Sequence, residues 1–361
     1  MGTRSLTEHV IDALTVLWED GAKVSTPLWN HTEPMARAVL AAVRSLPGLT
    51  THLQVFERAP LHPLTRRALT AALDATDLRP AENAVKAFVA NGAVFPRLGE
   101  RYHEEQELVP PSAPTPRTPL DVDSGMWDIT VVVDFRAAPG HGGRLRNALA
   151  CLRTLADQTL DREHYRVVVV EQDSSRRHET AVSGLADSYV HVRHDGPYNR
   201  SRAHNAGAAR VSGRGRYLAF LDADMLLERG FLDRARRTLI GTGAAAMLPY
   251  ERVVYLNGPS SERAISQRLG ARGSLDLERL HGYHLTPTFG GCLFVADELF
   301  DRLGGYDERF EGWGEEDNDF FYRVEAATRV ACLPVDLHHL DHERQTMPQV
   351  AAEQHRHAKG M

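Results

Sequence analysis

Lysine is almost missing from this chain: Lys23, Lys86 and Lys359 are the only three, so arginine carries nearly all of the positive charge. Acidic and basic residues are interspersed, and the formal net charge of -6 is mild for 361 residues. That pattern lacks the basic footprint of a nucleic-acid binder. Cysteine is scarce too. Cys151, Cys292 and Cys332 are odd in number, scattered and without CxxC spacing, which excludes a disulfide framework and a cysteine zinc site and fits a reducing compartment. No apolar run approaches the ~18 residues of a membrane span, and the amino terminus lacks a basic segment followed by an apolar core. A soluble, cytoplasmic protein is expected. The arginine preference, with many alanines, points to a GC-rich bacterial genome, which concerns codon usage and not mechanism.

A chain of this length is expected to form roughly two domains. It divides at Val109-Pro110-Pro111-Ser112-Ala113-Pro114-Thr115-Pro116-Arg117-Thr118-Pro119, where repeated loss of backbone donors forbids a helix or a central strand. Residues 108–124 read as a semi-rigid linker. Before it, in residues 1–107, apolar residues recur at three- and four-residue spacing over Leu6 to Trp18, Met35 to Leu46, Leu64 to Leu73 and Ala81 to Val89. This predicts a helical amino-terminal region, a candidate for carrier docking or self-association.

After the linker the period changes. Ile129 to Val133 and Val167 to Val170 are β-branched and almost continuously apolar, as strands buried on both faces of a parallel sheet tend to be. Between them Leu145, Leu149, Leu152 and Leu155 repeat at helical spacing, giving a βαβ unit. Tyr189 to Val192 and Tyr217 to Leu221 continue the strands, and Ser201 to Ala209 reads as a helix. The fold class is α/β, with a mostly parallel central sheet over residues 125–345 and a polar tail at 346–361.

Ligands of open α/β sheets collect at the carboxyl ends of strands, which is where Asp222-Ala223-Asp224 stands. Two aspartates after a strand often just cap a helix or shape a turn. They are also the oxygen ligands that Mg²⁺ or Mn²⁺ prefers, and Mn²⁺ accepts an imidazole as well. His338-His339-Leu340-Asp341-His342 follows the strand expected at Arg329 to Leu333 and returns to the same sheet edge. His339 ranks first and His342 second as ligand.

Trp313-Gly314-Glu315-Glu316-Asp317-Asn318-Asp319 opens a helix, because Phe320, Phe321 and Val324 have helical spacing. Acids in a first turn are favoured by the helix dipole by ~0.3–1 kcal/mol each. Four of them exceed what capping needs. Crowded carboxylates repel, and a raised pKa suits one of them to accept a proton from a hydroxyl.

The ordered series Phe135-Arg136, Tyr198-Asn199-Arg200, Ala203-His204-Asn205-Ala206-Gly207, Asp222-Ala223-Asp224, Phe289-Gly290-Gly291 and Gly312-Trp313-Gly314-Glu315-Glu316-Asp317 resembles that of β-1,4-galactosyltransferases. It is similar also to bacterial chondroitin polymerases and, more distantly, to polypeptide N-acetylgalactosaminyltransferases. The resemblance covers about residues 128 to 345 and implies the GT-A fold. By it, Phe135 and Arg136 lie against the nucleotide, Tyr198, Asn199 and Arg200 hold uridine and its phosphates, and Asp222 approaches the ribose or the metal. Asp224 binds Mn²⁺ or Mg²⁺ with His339 or His342. Gly290 and Gly291 let the backbone approach the donor sugar. Asp317 is the general base, Glu316 hydrogen-bonds the acceptor and Trp313 packs against the sugars.

Two departures qualify that picture. Thr288 stands where many of these galactosyltransferases carry a bulky aromatic, which leaves room for an N-acetyl group at the donor's C2. Three histidines stand where the family's metal segment usually offers one. The expected reaction is an inverting transfer of a hexose or N-acetylhexosamine from a UDP-sugar to a small-molecule, carrier-bound or glycan hydroxyl. The alternatives are a retaining transferase of the polypeptide type and a catalytically silent sugar-nucleotide binding module. Between Tyr250 and Thr286, Arg263, Arg268, Arg272, Arg279, His281 and His284 could meet an anionic acceptor or simply be solvated.

Overall fold

The computed structural model describes residues 4–103, 118–140, 142–270, 273–286, 288–312 and 314–343. Most of the proline-rich segment, Trp313, Arg272 and the tail from 346 lie outside them. Five helices come first: α1 (Leu6–Trp18), α2 (Thr26–Arg44), α3 (Thr50–Arg58), α4 (Pro63–Asp74) and α5 (Glu82–Asn91), followed by strand β1 (Val94–Leu98). Next come β2 (Trp127–Phe135), α6 (Gly142–Ala156), β3 (Tyr165–Asp173), α7 (Glu179–Val182), β4 (Ser188–Arg193), α8 (Arg200–Ala209), β5 (Gly215–Asp222) and β6 (Met225–Leu226). The rest are α9 (Phe231–Thr242), β7 (Ala246–Leu248), β8 (Arg252–Leu256), α10 (Gly258–Leu269), β9 (His281–Leu285), β10 (Cys292–Ala296), α11 (Asp297–Leu303), α12 (Glu316–Ala327), β11 (Val330–Cys332) and β12 (Asp336–His339). Among the described residues no helix is long and apolar enough to cross a membrane.

The residues fall into two compact units. The first holds the chain up to His103 together with Arg252–Ala264 and Asp276–Thr288. Its helices bury the expected apolar stripes: Val10 and Leu14 of α1 pack with Val39 and Val43 of α2, Phe56 of α3, Leu69 and Leu73 of α4, and Val85 and Phe88 of α5. A capping box starts α1, with the Ser5 hydroxyl accepting from the Glu8 amide and the Glu8 carboxylate accepting from the Ser5 amide at 2.6 Å. Helix α3 has no counterpart in the sequence reading. The two later segments, read there as part of the C-terminal domain, instead supply strands to this unit. β1 pairs antiparallel with β9 (Val94 opposite Leu285), β9 pairs with β8, and Tyr283 and Leu285 join the helical core. A lone strand after α5 would leave its backbone groups unpaired, and β9 satisfies one edge of it.

The same segments correct the reading of their cations. Arg263 and His281 are buried rather than facing an acceptor or water; the Arg263 guanidinium donates to the Arg279 carbonyl at 2.8 Å and the His103 carbonyl at 2.9 Å.

The second unit runs from Thr118 to Glu251, with Ile265–Leu275 and the chain from Phe289 onward. Its seven-stranded sheet has the order β11-β7-β10-β5-β2-β3-β4. β2 lies parallel to both β5 and β3, β3 to β4 and β11 to β7, while β10 runs antiparallel to β5 and β7. The sheet is thus mostly parallel, as expected. Its inner strands are buried almost end to end, which is why they read as unbroken apolar runs. Helix α8 lies so close to the sheet that a Cβ on Gly207 would stand 2.4 Å from Val132 Cγ1. Arg268 is also wholly buried here, donating to the Leu227 carbonyl at 2.6 Å and to Asp157 at 2.7 Å.

Candidate active site

The turn after β5 delivers Asp222 and Asp224, and a short ladder then fixes what meets them. β12 pairs antiparallel with β6, setting His339 opposite Met225 and His338 opposite Leu226, and the Leu340 amide donates to the Asp224 carbonyl at 2.8 Å. Alternation along β12 sends His338 to the other face, where it is buried. His339 Nε2 stands 3.3 Å from Asp224 Oδ1. The loop that follows is held by α6, whose Asn147 amide donates to the Leu340 and Asp341 carbonyls and whose Arg146 donates to the Asp341 carbonyl at 2.7 Å. This brings His342 Nε2 to 3.1 Å from Asp224 Oδ2.

One carboxylate and two imidazoles therefore present ligand atoms within 4.8 Å of one another. Asp224 Oδ1 is buried and, although His339 Nε2 stands 3.3 Å away, makes no hydrogen bond; a bound ion or a water would satisfy it. The donor set fits Mn²⁺ or another divalent ion that takes mixed oxygen and nitrogen ligands. Burial would raise the Asp224 carboxyl, but His339 and His342 more than offset it and hold it below the usual carboxylate range. Burial keeps His339 low, the neutral form that ligates; burial would lower His342 too, but the hydrogen bond it donates to the Asp224 carboxylate, with that group's charge, outweighs this and raises it.

The amino end of α8 forms the second cluster. Asn199 caps it by accepting from the Arg202 amide at 2.8 Å, donates its side-chain amide to the Glu308 carbonyl at 2.7 Å, and exchanges two backbone bonds with the Gln172 side chain. Its side chain is thereby spent on the fold. Arg200, the first helical residue, reaches four carboxylates. One Nη bonds Asp222, the other lies 2.5 Å from Asp317 and 3.6 Å from Glu316, and Nε is 4.0 Å from Asp134. Asp222 and Asp317, distant in the chain, so share one guanidinium. Burial opposes this cation, and Asp317, followed by Asp134 and Glu316, still raises it well above its ordinary value.

Asp134 was missed in the sequence reading. It is buried at the carboxyl end of β2, in register with Asp222 of β5, and accepts from the Tyr198 hydroxyl and from His204 Nε2 at 2.7 Å. An acid closing an apolar run at a strand's end was the available signal, the same one that marked Asp222.

The first turn of α12 is reached through three residues with left-handed backbone: Gly312 (φ 88), Gly314 (φ 102) and Glu315 (φ 75), the last without glycine's freedom. The Gly312 amide donates to the Tyr198 carbonyl at 2.8 Å, tying this approach to the α8 loop. Glu316 is buried beside Asp317. Burial, and then repulsion by Asp317, push its carboxyl up to about 7. Gly290 lies close beside Asp317, and a Cβ there would stand 2.7 Å from Asp317 Oδ2. Its carbonyl accepts from the Tyr250 hydroxyl at 2.7 Å, and the next carbonyl, that of Gly291, accepts from the Asp222 amide at 3.0 Å. The Thr288 hydroxyl donates to the Leu285 carbonyl at 3.0 Å within the first unit.

Arg136 and Tyr198 form the nucleotide side of the expected site. The Arg136 guanidinium donates to the carbonyls of Gln172 at 2.7 Å, Gly196 at 2.8 Å and His194 at 3.2 Å, and lies 5.4 Å from the Tyr198 ring centre. It braces the loop that carries Tyr198. Phe135 is buried, with the His178 ring 6.1 Å away.

Residues 150–351 match the family model described as glycosyltransferase like family 2. Mouse polypeptide N-acetylgalactosaminyltransferase 12 is 27% identical over 206 residues, which are 50% of this chain and 34% of that protein, so the match spans about a third of the relative's length. Among solved structures, S. aureus TarS 1–349 in complex with UDP-GlcNAc superposes with a TM-score of 0.45 at 14% identity over 63% of this chain and 64% of that one. The longer S. aureus TarS chain gives 0.41 at 13% identity, over 59% of this chain and 37% of that one.

Proposed function

Since this chain belongs to glycosyltransferase-like family 2 and is a glycosyltransferase, we propose that it moves a hexose or N-acetylhexosamine from a UDP-sugar to an acceptor hydroxyl, with inversion and with a divalent metal. The observation that carries this reading is Arg200, whose guanidinium joins Asp222, next to the metal-type triad Asp224, His339 and His342, to Asp317. A charge-stabilising end and a proton-accepting end therefore meet in one cluster.

Asp224, His339 and His342 would hold Mn²⁺ or Mg²⁺, which when bound supplies positive charge against the departing diphosphate. Arg200 adds a second positive charge on that side. Asp317 takes the proton from the acceptor hydroxyl as its oxygen forms the new bond to the anomeric carbon. The bond from that carbon to the diphosphate breaks, and its electron pair leaves with UDP. Glu316, whose carboxyl is raised to about 7, hydrogen-bonds the acceptor. Such electrostatic contributions are typically several kcal/mol of barrier.

The small Thr288 favours an N-acetylhexosamine donor, and the name of the mouse relative, an N-acetylgalactosaminyltransferase, supports it. That relative also favours a second reading, retaining transfer; Asp317 directly after Glu316 argues for inversion by offering a base. Incubation with Mn²⁺ and a panel of UDP- and other nucleotide-activated sugars tests the proposal, with release of UDP from one donor expected. Release from none contradicts it, and the anomeric configuration of the released sugar, read by NMR, decides between inversion and retention.

A further inference from the structure

We infer that Arg200 is a positioning residue that holds Asp317 in an ion pair until the donor's diphosphate takes over its guanidinium. The inference rests on the UDP-sugar reading above.

Both arms of the guanidinium are engaged, one by Asp222 and the other by Asp317 at 2.5 Å with Glu316 at 3.6 Å, and its side chain is 13% exposed. The groups facing it are Asp134 from β2, Tyr198 from the loop before α8, Asp222 from β5, Tyr306, and Glu316 and Asp317 from α12. Acids outnumber the one cation. The Asp317 oxygen held 2.5 Å from the guanidinium is not at the same time open to an acceptor hydroxyl.

A diphosphate seeking this fork must displace a carboxylate or share it. Asp134 is anchored by His204 and Tyr198, and the Asp222 main chain is tied to Gly291. Asp317 has Arg200 as its one side-chain hydrogen-bond partner among the described residues, and it follows three residues with left-handed backbone. It is the carboxylate that yields. Gly290, with no Cβ to crowd Oδ2, leaves room beside it. Once released, Asp317 is open to the arriving acceptor hydroxyl.

Isothermal titration of the full chain with UDP in the presence of Mn²⁺ tests this. Asp317→Asn, an isosteric change, removes the competitor for Arg200, and its UDP affinity is expected to rise severalfold, up to about tenfold. Titrations near pH 7 in two buffers of different ionisation enthalpy should show proton uptake by the unmodified chain, as Glu316 loses its cation, and less uptake by the variant, in which no charge at 317 raises Glu316. Arg200→Lys, which keeps the charge without the fork, should abolish the affinity difference. Equal or weaker UDP binding by Asp317→Asn, or no proton uptake by the unmodified chain, overturns the inference and leaves the donor reading standing. Failure of the unmodified chain to bind UDP refutes the donor reading and removes the inference with it.

Discussion

Glu316 and Asp317 are adjacent carboxylates in opposite surroundings: Asp317 lies in the grip of Arg200, while Glu316 is buried with that guanidinium at longer range. Folding therefore favours the protonated form of Glu316, whose carboxyl rises from an ordinary 4.5 to about 7. Its contribution to stability is full below the unfolded value and is lost as pH rises through the folded one. Glu316→Gln should accordingly gain stability relative to the unmodified chain between pH 5 and 8, by on the order of 2 kcal/mol, in urea midpoints measured at both ends. Asp12, which burial also raises to about 6, contributes equally to both proteins and cancels in the comparison. At the metal-type triad, His342→Ala should weaken Mn²⁺ binding by at least about tenfold, read by titration monitored with electron paramagnetic resonance. Unchanged affinity would remove His342 from the ligand set. Asp224, His339 and His342 were legible because ligand chemistry restricts residue types and strand ends restrict position. Asp134 was not, because a buried acid inside an apolar run looks the same whether it anchors a neighbour or serves only the fold.

Strands and helices were legible where one element's own period sufficed. Leu6 to Trp18 is found as α1, and the apolar run at Val167 to Val170 lies inside β3, extended at both ends by residues whose burial depends on the sheet. Helix α3 escaped because its short stripe rests on Leu53 and Phe56 alone. Packing between elements leaves fainter traces, yet Gly207 is one: α8 approaches β2 and β3 too closely for any side chain, with Val132 and Val170 in the way. Gly207→Ala gains about 1 kcal/mol of helix propensity but incurs about 1–3 kcal/mol of overpacking. The melting temperature should fall, and a rise would mean that the helix can slide outward at little cost.

At the scale of the whole molecule, the chain does not divide at the proline-rich segment into two stretches each continuous in sequence. Segments 252–264 and 276–288 belong with the amino-terminal helices because β9 is the strand partner of β1, and pairing between residues so far apart leaves no local period to read. Arg268 was unreadable for a similar reason, since nothing near it in sequence announces that Leu227 and Asp157 will enclose it. Deletion of residues 1–109 should therefore strand Tyr283 and Leu285 without their core and give aggregated protein in gel filtration; a monodisperse product would show that the first unit is dispensable.

The proposed function requires that the acids at the end of β5 and the acid opening α12 serve one reaction. The most direct measurement is release of UDP from the donor identified in the nucleotide-sugar panel, with Mn²⁺, by the unmodified chain and by Asp317→Asn. Turnover should fall by about 10²–10⁴-fold in the variant while UDP still binds; turnover equal to that of the unmodified chain would rule out Asp317 as the base.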